Sequence, residues 1–142
     1  MIRSISRLIL PIAAGAFVAC AFVQVFLAGL GVFDDPKSFI THREFGYMFG
    51  WLTLAILVLA LIGRAPRRIT GLSVLLLVLF TLQSVFVALR TDFPAVAALH
   101  PVNGFLITFL AIVLARDAWL ERRASTEGAA APEVPARDAS AT

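Results

Sequence analysis

Charge is what this sequence has least of. Only 15% of its residues are Asp, Glu, Lys or Arg, where a soluble domain carries roughly a quarter. Those charges stand in short clusters between long apolar runs. No polar face is left to meet water, and this excludes an ordinary soluble fold. Lysine is nearly missing: Lys37 stands alone, so the net charge of +3 is carried by arginine. The arginines flank the apolar runs instead of lining one face, which excludes a nucleic-acid-binding stripe. Preference for Arg over Lys points to a GC-rich bacterial genome. Cysteine is limited to Cys20. An intrachain disulfide and a thiolate metal cluster are both excluded, and Cys20 reads as a small packing residue. There is no nucleophile–base constellation, no His pair at i and i+4, and no phosphate-binding glycine loop. The sequence gives enzymatic catalysis little support.

What is abundant is apolar surface, at 60% of the residues. It falls into four runs, about 8–33, 41–62, 71–89 and 95–116. Each is near the ~20 residues that cross a bilayer as a helix. The first run begins after Arg3 and Arg7 like a signal peptide. It continues well past signal-peptide length without a clear small-residue cleavage site, so a permanent first span is expected. Asp34-Asp35-Pro36-Lys37 ends it. Thr41-His42-Arg43-Glu44 has capping-box form, with Thr41 as N-cap of the second span and Glu44 at its third position. Gly63-Arg64-Ala65-Pro66-Arg67-Arg68 is a short basic turn, after which Thr70 is placed to cap the third span. The fourth span begins at Pro94 or at Pro101, and a start at Pro94 predicts a kink at Pro101. From about Glu121 the apolar period is lost, and residues 121–142 read as a disordered tail.

Arginine also sets the orientation. Arg3, Arg7, Arg64, Arg67, Arg68, Arg116, Arg122 and Arg123 lie at one set of helix ends. At the other ends Asp34, Asp35, Lys37, Arg43, Glu44, Arg90 and Asp92 nearly cancel. The positive-inside rule then places both termini, and the tail, in the cytoplasm of a bacterial inner membrane. The expected architecture is all-α: an antiparallel four-helix transmembrane bundle over residues 1–120, with short loops joining neighbouring helices.

The two halves resemble each other. Gln24-Val25-Phe26-Leu27-Ala28 in the first span parallels Gln83-Ser84-Val85-Phe86-Val87-Ala88 in the third. His42 follows Gln24 by 18 residues and His100 follows Gln83 by 17; Gly46 and Gly104 each come four residues after a histidine. The pattern is a pseudo-two-fold repeat of helix pairs, an arrangement that often places a site at the interface of the repeats. Residues four apart share a helix face, so each glycine leaves a gap beneath its histidine. Two such faces can hold a planar macrocycle. His42 and His100, the only histidines, are the candidate metal ligands. Gly46 and Gly104 are the candidate haem contacts. Arg43 and Arg90, with the helix N-termini, are the candidate partners for haem propionates. Ligation by both imidazoles gives a low-spin b-type centre suited to electron transfer.

His42-Arg43 with Gly46 resembles the His-Arg motif that opens the second helix in haem A synthases, and Leu99-His100 with Asn103-Gly104 resembles its fourth-helix counterpart. The resemblance implies a four-helix bundle equal to one half of that architecture, with histidines on its second and fourth helices. It covers about residues 1–116 in pattern and a dozen positions in identity. Ser38-Phe39-Ile40-Thr41 stands where the catalytic half carries its carboxylate, which argues against haem A synthesis itself. The chain is also similar in size and layout to a family of small actinobacterial four-helix membrane proteins of unknown function.

The sequence leaves several readings open. In one, the chain is a haem-binding redox protein with a redox partner. In another it is a non-enzymatic small subunit or scaffold in a larger membrane complex or homo-oligomer, with His42 and His100 as helix-start residues. A small transporter has least support, because no deep charged pair or broken helix marks a pathway. Gly46/Gly50, Gly29/Gly31 and Gly71 also fit simple close packing of helices. Gln24 and Gln83 are expected to join the halves or to support the histidines, and Tyr47, Trp51 and Trp119 to be belt or packing aromatics.

Overall fold

The computed structural model describes residues 1–130. It is helical nearly throughout: α1 Ile2–Phe33, α2 Ser38–Ile62, α3 Arg67–Ala88, a single turn α4 Pro94–Ala97, and α5 Leu99–Ala130. Four helical stretches are long and apolar enough to cross a membrane, α4 and α5 together forming the last. Helix α1 packs on α2 and α5, and α3 packs on the same two. The helices therefore close a ring in the order α1–α2–α3–α5, with α2 and α5 facing each other across its diagonal.

The surface of this bundle is apolar. Only 11–22% of the most apolar window of each span is buried, and Phe26, Phe105 and Phe109 are each at least 65% exposed. Water would not tolerate that surface, whereas lipid does. Inside, Phe17, Phe49 and Phe80 form an aromatic triad with ring centroids 5.2 to 5.8 Å apart. Toward the basic end it continues as Leu10, Ala14, Ile56, Ala60, Leu76, Ile107 and Leu114. A Cβ on Gly50 would come within 2.5 Å of Phe80, so this glycine is what lets the third phenylalanine enter. Gly31 does the same for Phe39. Gly29 and Gly71 approach nothing within 4 Å, and the expected packing role does not hold for them. The buried hydroxyls of Ser6, Thr53 and Ser73 bond to carbonyls of their own helices, so none is left unsatisfied in the interior.

The helix starts differ from the sequence expectation. Thr41 is not the N-cap of α2 and Glu44 closes no capping box; the helix begins a turn earlier, at Ser38. Asp35 Oδ1 accepts the Lys37 N–H at 2.9 Å, and Pro36 supplies a preset φ for the first turn. Glu44 pairs instead with Arg43. Thr70 is likewise interior, because α3 starts at Arg67 just after the extended Pro66. At the other end of the chain both prolines act. Pro94 opens α4, the helix breaks at Ala98, and α5 resumes at Leu99. Pro101 has no N–H for the Ala97 carbonyl and its ring crowds that turn. At the basic end Arg7 Nε donates to the Gly63 carbonyl at 2.9 Å, fastening α1 to the α2–α3 connection.

Helix α5 also runs past Glu121, where the tail was expected to begin, and continues to Ala130. Ala, Glu and Arg are good helix formers even without an apolar stripe. Ser125 and Thr126 bond back to the Glu121 and Arg122 carbonyls. The remainder of the expected tail, 131–142, lies outside the described residues.

Phe17 is fully buried and Phe105 is 72% exposed. Phe17→Ala should therefore cost about 3–5 kcal/mol, and Phe105→Ala within about 0.5 kcal/mol. Thermal melts of the two variants in detergent micelles check this; equal losses would contradict the assignment of the core.

Candidate functional site

The repeat seen in the sequence becomes one polar cluster at the end of the bundle opposite the basic turn. Gln24 of α1 faces His42 of α2, and Gln83 of α3 faces His100 of α5. In the first half the bonding is reciprocal: Gln24 Nε2 donates to the His42 carbonyl at 2.8 Å, and His42 Nδ1 lies 3.0 Å from the Gln24 carbonyl. In the second half His100 Nδ1 lies 3.3 Å from the Gln83 carbonyl. A carbonyl can only accept, so each Nδ1 must carry the proton. An imidazole so held has, in its neutral form, its lone pair on Nε2. The two rings come together across the bundle diagonal, with centroids 6.1 Å apart and planes at 65°.

The glycines lie against the glutamine amides. A Cβ on Gly46 would stand 2.8 Å from Gln24 Nε2, and one on Gly104 would stand 3.3 Å from Gln83 Nε2. The gap beneath each histidine is therefore filled by the amide of the glutamine from the neighbouring helix. The His-x-x-x-Gly spacing leaves room for that amide, and Gln, His and Gly act as one unit in each half.

The halves differ in one respect that the sequence reading passed over. Asn103, one turn after His100 and 5% exposed, donates to the Leu79 carbonyl at 2.8 Å and to Gln83 Oε1 at 2.9 Å. At the matching position of the first half stands Phe45, three residues after His42. Gln24 Oε1 is consequently buried without a partner. The signal was present, since Asn103 shares the face of His100.

Arg43 and Arg90 do not join the cluster. Arg43 is exposed and pairs with Glu44 at 2.7 Å; Arg90 is exposed and bonds the Val87 carbonyl at its own helix end. No group of three or more His, Cys, Asp or Glu side chains converges as a metal site among the described residues. A second unpredicted feature lies at the basic end. Asp117 is only 13% exposed at its side chain, with Oδ2 2.9 Å from Arg68 Nε. That contact is an ion pair by distance, although its angle is too bent for a hydrogen bond. The signal was an isolated acid among arginines.

A model for a family of unknown function, DUF6220, matches residues 24–90. The match begins at Gln24 and ends at Arg90, so it includes the whole first Gln–His–Gly unit and Gln83. It stops short of His100 and Asn103. No curated protein and no solved structure matches the chain.

The cluster predicts an asymmetric response. In Gly46→Ala the new methyl displaces the Gln24 amide and breaks its bond to the His42 carbonyl, at a cost of about 1 kcal/mol. Gly104→Ala, with more room, should cost less. Asn103→Leu leaves Gln83 Oε1 buried and unpaired and should cost about 1–3 kcal/mol. Melting temperatures in one detergent rank the three; Gly104→Ala proving the most damaging would refute the geometry.

Proposed function

We propose that this multi-pass membrane protein holds a b-type haem between His42 and His100 and serves electron transfer. The observation that carries the reading is the facing pair of imidazoles, each tied at Nδ1 to a glutamine carbonyl. Metal-bound histidines commonly hold their second nitrogen in this way, which fixes the tautomer and aims Nε2. The two imidazoles agree with a haem iron in number and in the nitrogen that each would leave free. The porphyrin itself would need the space that the Gln24 and Gln83 amides fill. Bound there, a bis-imidazole haem supplies a one-electron centre. The chain's own contribution is to hold two neutral imidazoles level, with glutamine carbonyls keeping the protons on Nδ1. Lipid-facing helices around them keep water out, and a redox partner approaches from the membrane or from the outer surface.

One observation favours a second reading. The amides fit the glycine gaps closely and bond to the facing helix. A pair of Gln–His–Gly clamps with no cofactor, holding the helices of a small non-enzymatic subunit or scaffold in register, accounts for that packing without further parts.

Orientation belongs to the same proposal. By the positive-inside rule, the arginines about α1, the α2–α3 turn and α5 favour both termini in the cytoplasm of a bacterial plasma membrane, with the imidazoles in the outer half of the bilayer.

A reduced-minus-oxidised spectrum of the full chain purified in detergent separates the two readings. The haem reading expects sharp low-spin bands that vanish in His42→Ala and in His100→Ala while the helical circular dichroism remains. Colourless protein after expression with excess haem would leave the clamp reading standing alone.

A further inference from the structure

A groove of about 350 Å³ opens toward the lipid between α2 and α3, lined by Tyr47, Gly50, Trp51, Phe80, Thr81 and Ser84. Its floor is the close contact of Phe80 with Gly50. Two features distinguish it from an ordinary seam between helices. The first is depth. Trp51 is 13 residues into the 25-residue α2, near the middle of the membrane, where an interfacial belt aromatic has no reason to be. Trp51 and Tyr47 are nevertheless 72% and 59% exposed.

The second is hydrogen bonding. Hydroxyls set in the spans of this bundle satisfy themselves by bonding back to their own helix, as Thr53, Ser73, Thr81 and Thr108 do. Among the described residues Tyr47 Oη, Trp51 Nε1 and Ser84 Oγ have no such partner, and all three border this one groove. Hydrocarbon offers them nothing in exchange, and each unmet donor there is costly.

Two unmet hydroxyls beside the Trp51 indole in an aromatic-walled groove describe the missing partner: a flat, lipid-soluble ring that carries carbonyl acceptors. We infer that the α2–α3 groove binds the ring of an isoprenoid quinone. The ring would lie against Tyr47, Trp51 and Phe80, with Tyr47 and Ser84 donating to its carbonyl oxygens and the isoprenoid chain remaining in the lipid. A phospholipid acyl chain would leave the donors unmet. The site is separate from the imidazole cluster and does not depend on a haem being present there.

The test uses Trp51 as its own reporter. In the full-length Trp119→Phe protein in detergent, a benzoquinone with one isoprene unit should quench the remaining tryptophan fluorescence saturably. Tyr47→Phe combined with Ser84→Ala should raise the half-saturating concentration at least tenfold without lowering the melting temperature. His42→Ala combined with His100→Ala should leave it within twofold, which separates this site from the haem reading. Quenching that rises linearly with quinone, or that the Tyr47/Ser84 pair does not alter, would overturn the inference. So would a stable dimer in which Trp51 is shielded from a lipid-soluble quencher, because a second copy would then fill the groove. Binding lost only in the histidine variants would place the quinone in the cluster instead and overturn it equally.

Discussion

The arrangement depends on the demand that a polar group inside lipid find its partner within the protein. Gln24, Gln83, His42, His100 and Asn103 are polar side chains within spans that otherwise read as hydrocarbon. Each can be accommodated only if a facing helix answers it. The imidazole of α2 turns to a carbonyl of α1 and the imidazole of α5 to a carbonyl of α3. These bonds specify which helices are neighbours and at what register, a choice that apolar packing in lipid leaves weakly determined. The aromatic triad below them then fills the bundle at a depth already set.

Much of this was legible in the sequence. Four helices long and apolar enough to cross a membrane followed from run length and from the positions of Arg64, Pro36 and Pro94. The kinship of Gln24/His42/Gly46 with Gln83/His100/Gly104 followed from spacing alone. The helix starts were less legible. Thr41 and Thr70 have good capping chemistry, but Asp35-Pro36 and Pro66 lie upstream and begin the helices first. Helix α5 outlasted its apolar stripe because propensity alone carries Ala, Glu and Arg past Glu121. The role of the glycines could not be read at all, because it depends on which side chain of another helix arrives above them. Asp117 escaped attention because a single acid beside Arg116 looks like a solvated charge until the fold turns it inward toward Arg68.

The halves are alike in design and unequal in detail. Phe45 in one half packs on Phe49 with ring centroids 5.3 Å apart, extending the aromatic core up to the histidine. Asn103 in the other half extends hydrogen bonding to the same level. Beside the glutamine amide that both share, one imidazole therefore has an aromatic side chain one turn further along its helix and its partner a hydrogen-bonding one. Such a difference gives two chemically identical side chains distinct environments, whether they meet a metal or only each other.

The closed ring of helices carries one consequence for how such a chain can grow. Four helices that each cross would return the polypeptide to the side on which it began, and α1 lies directly against α5. A tandem copy joined after α5 would enter the bilayer in the same sense as the first, with its histidine cluster on the same face, and no loop would need to change side. Doubling the gene would thus yield an eight-helix protein with two equivalent histidine clusters in a single step, whereas a three- or five-helix unit would insert its second copy upside down.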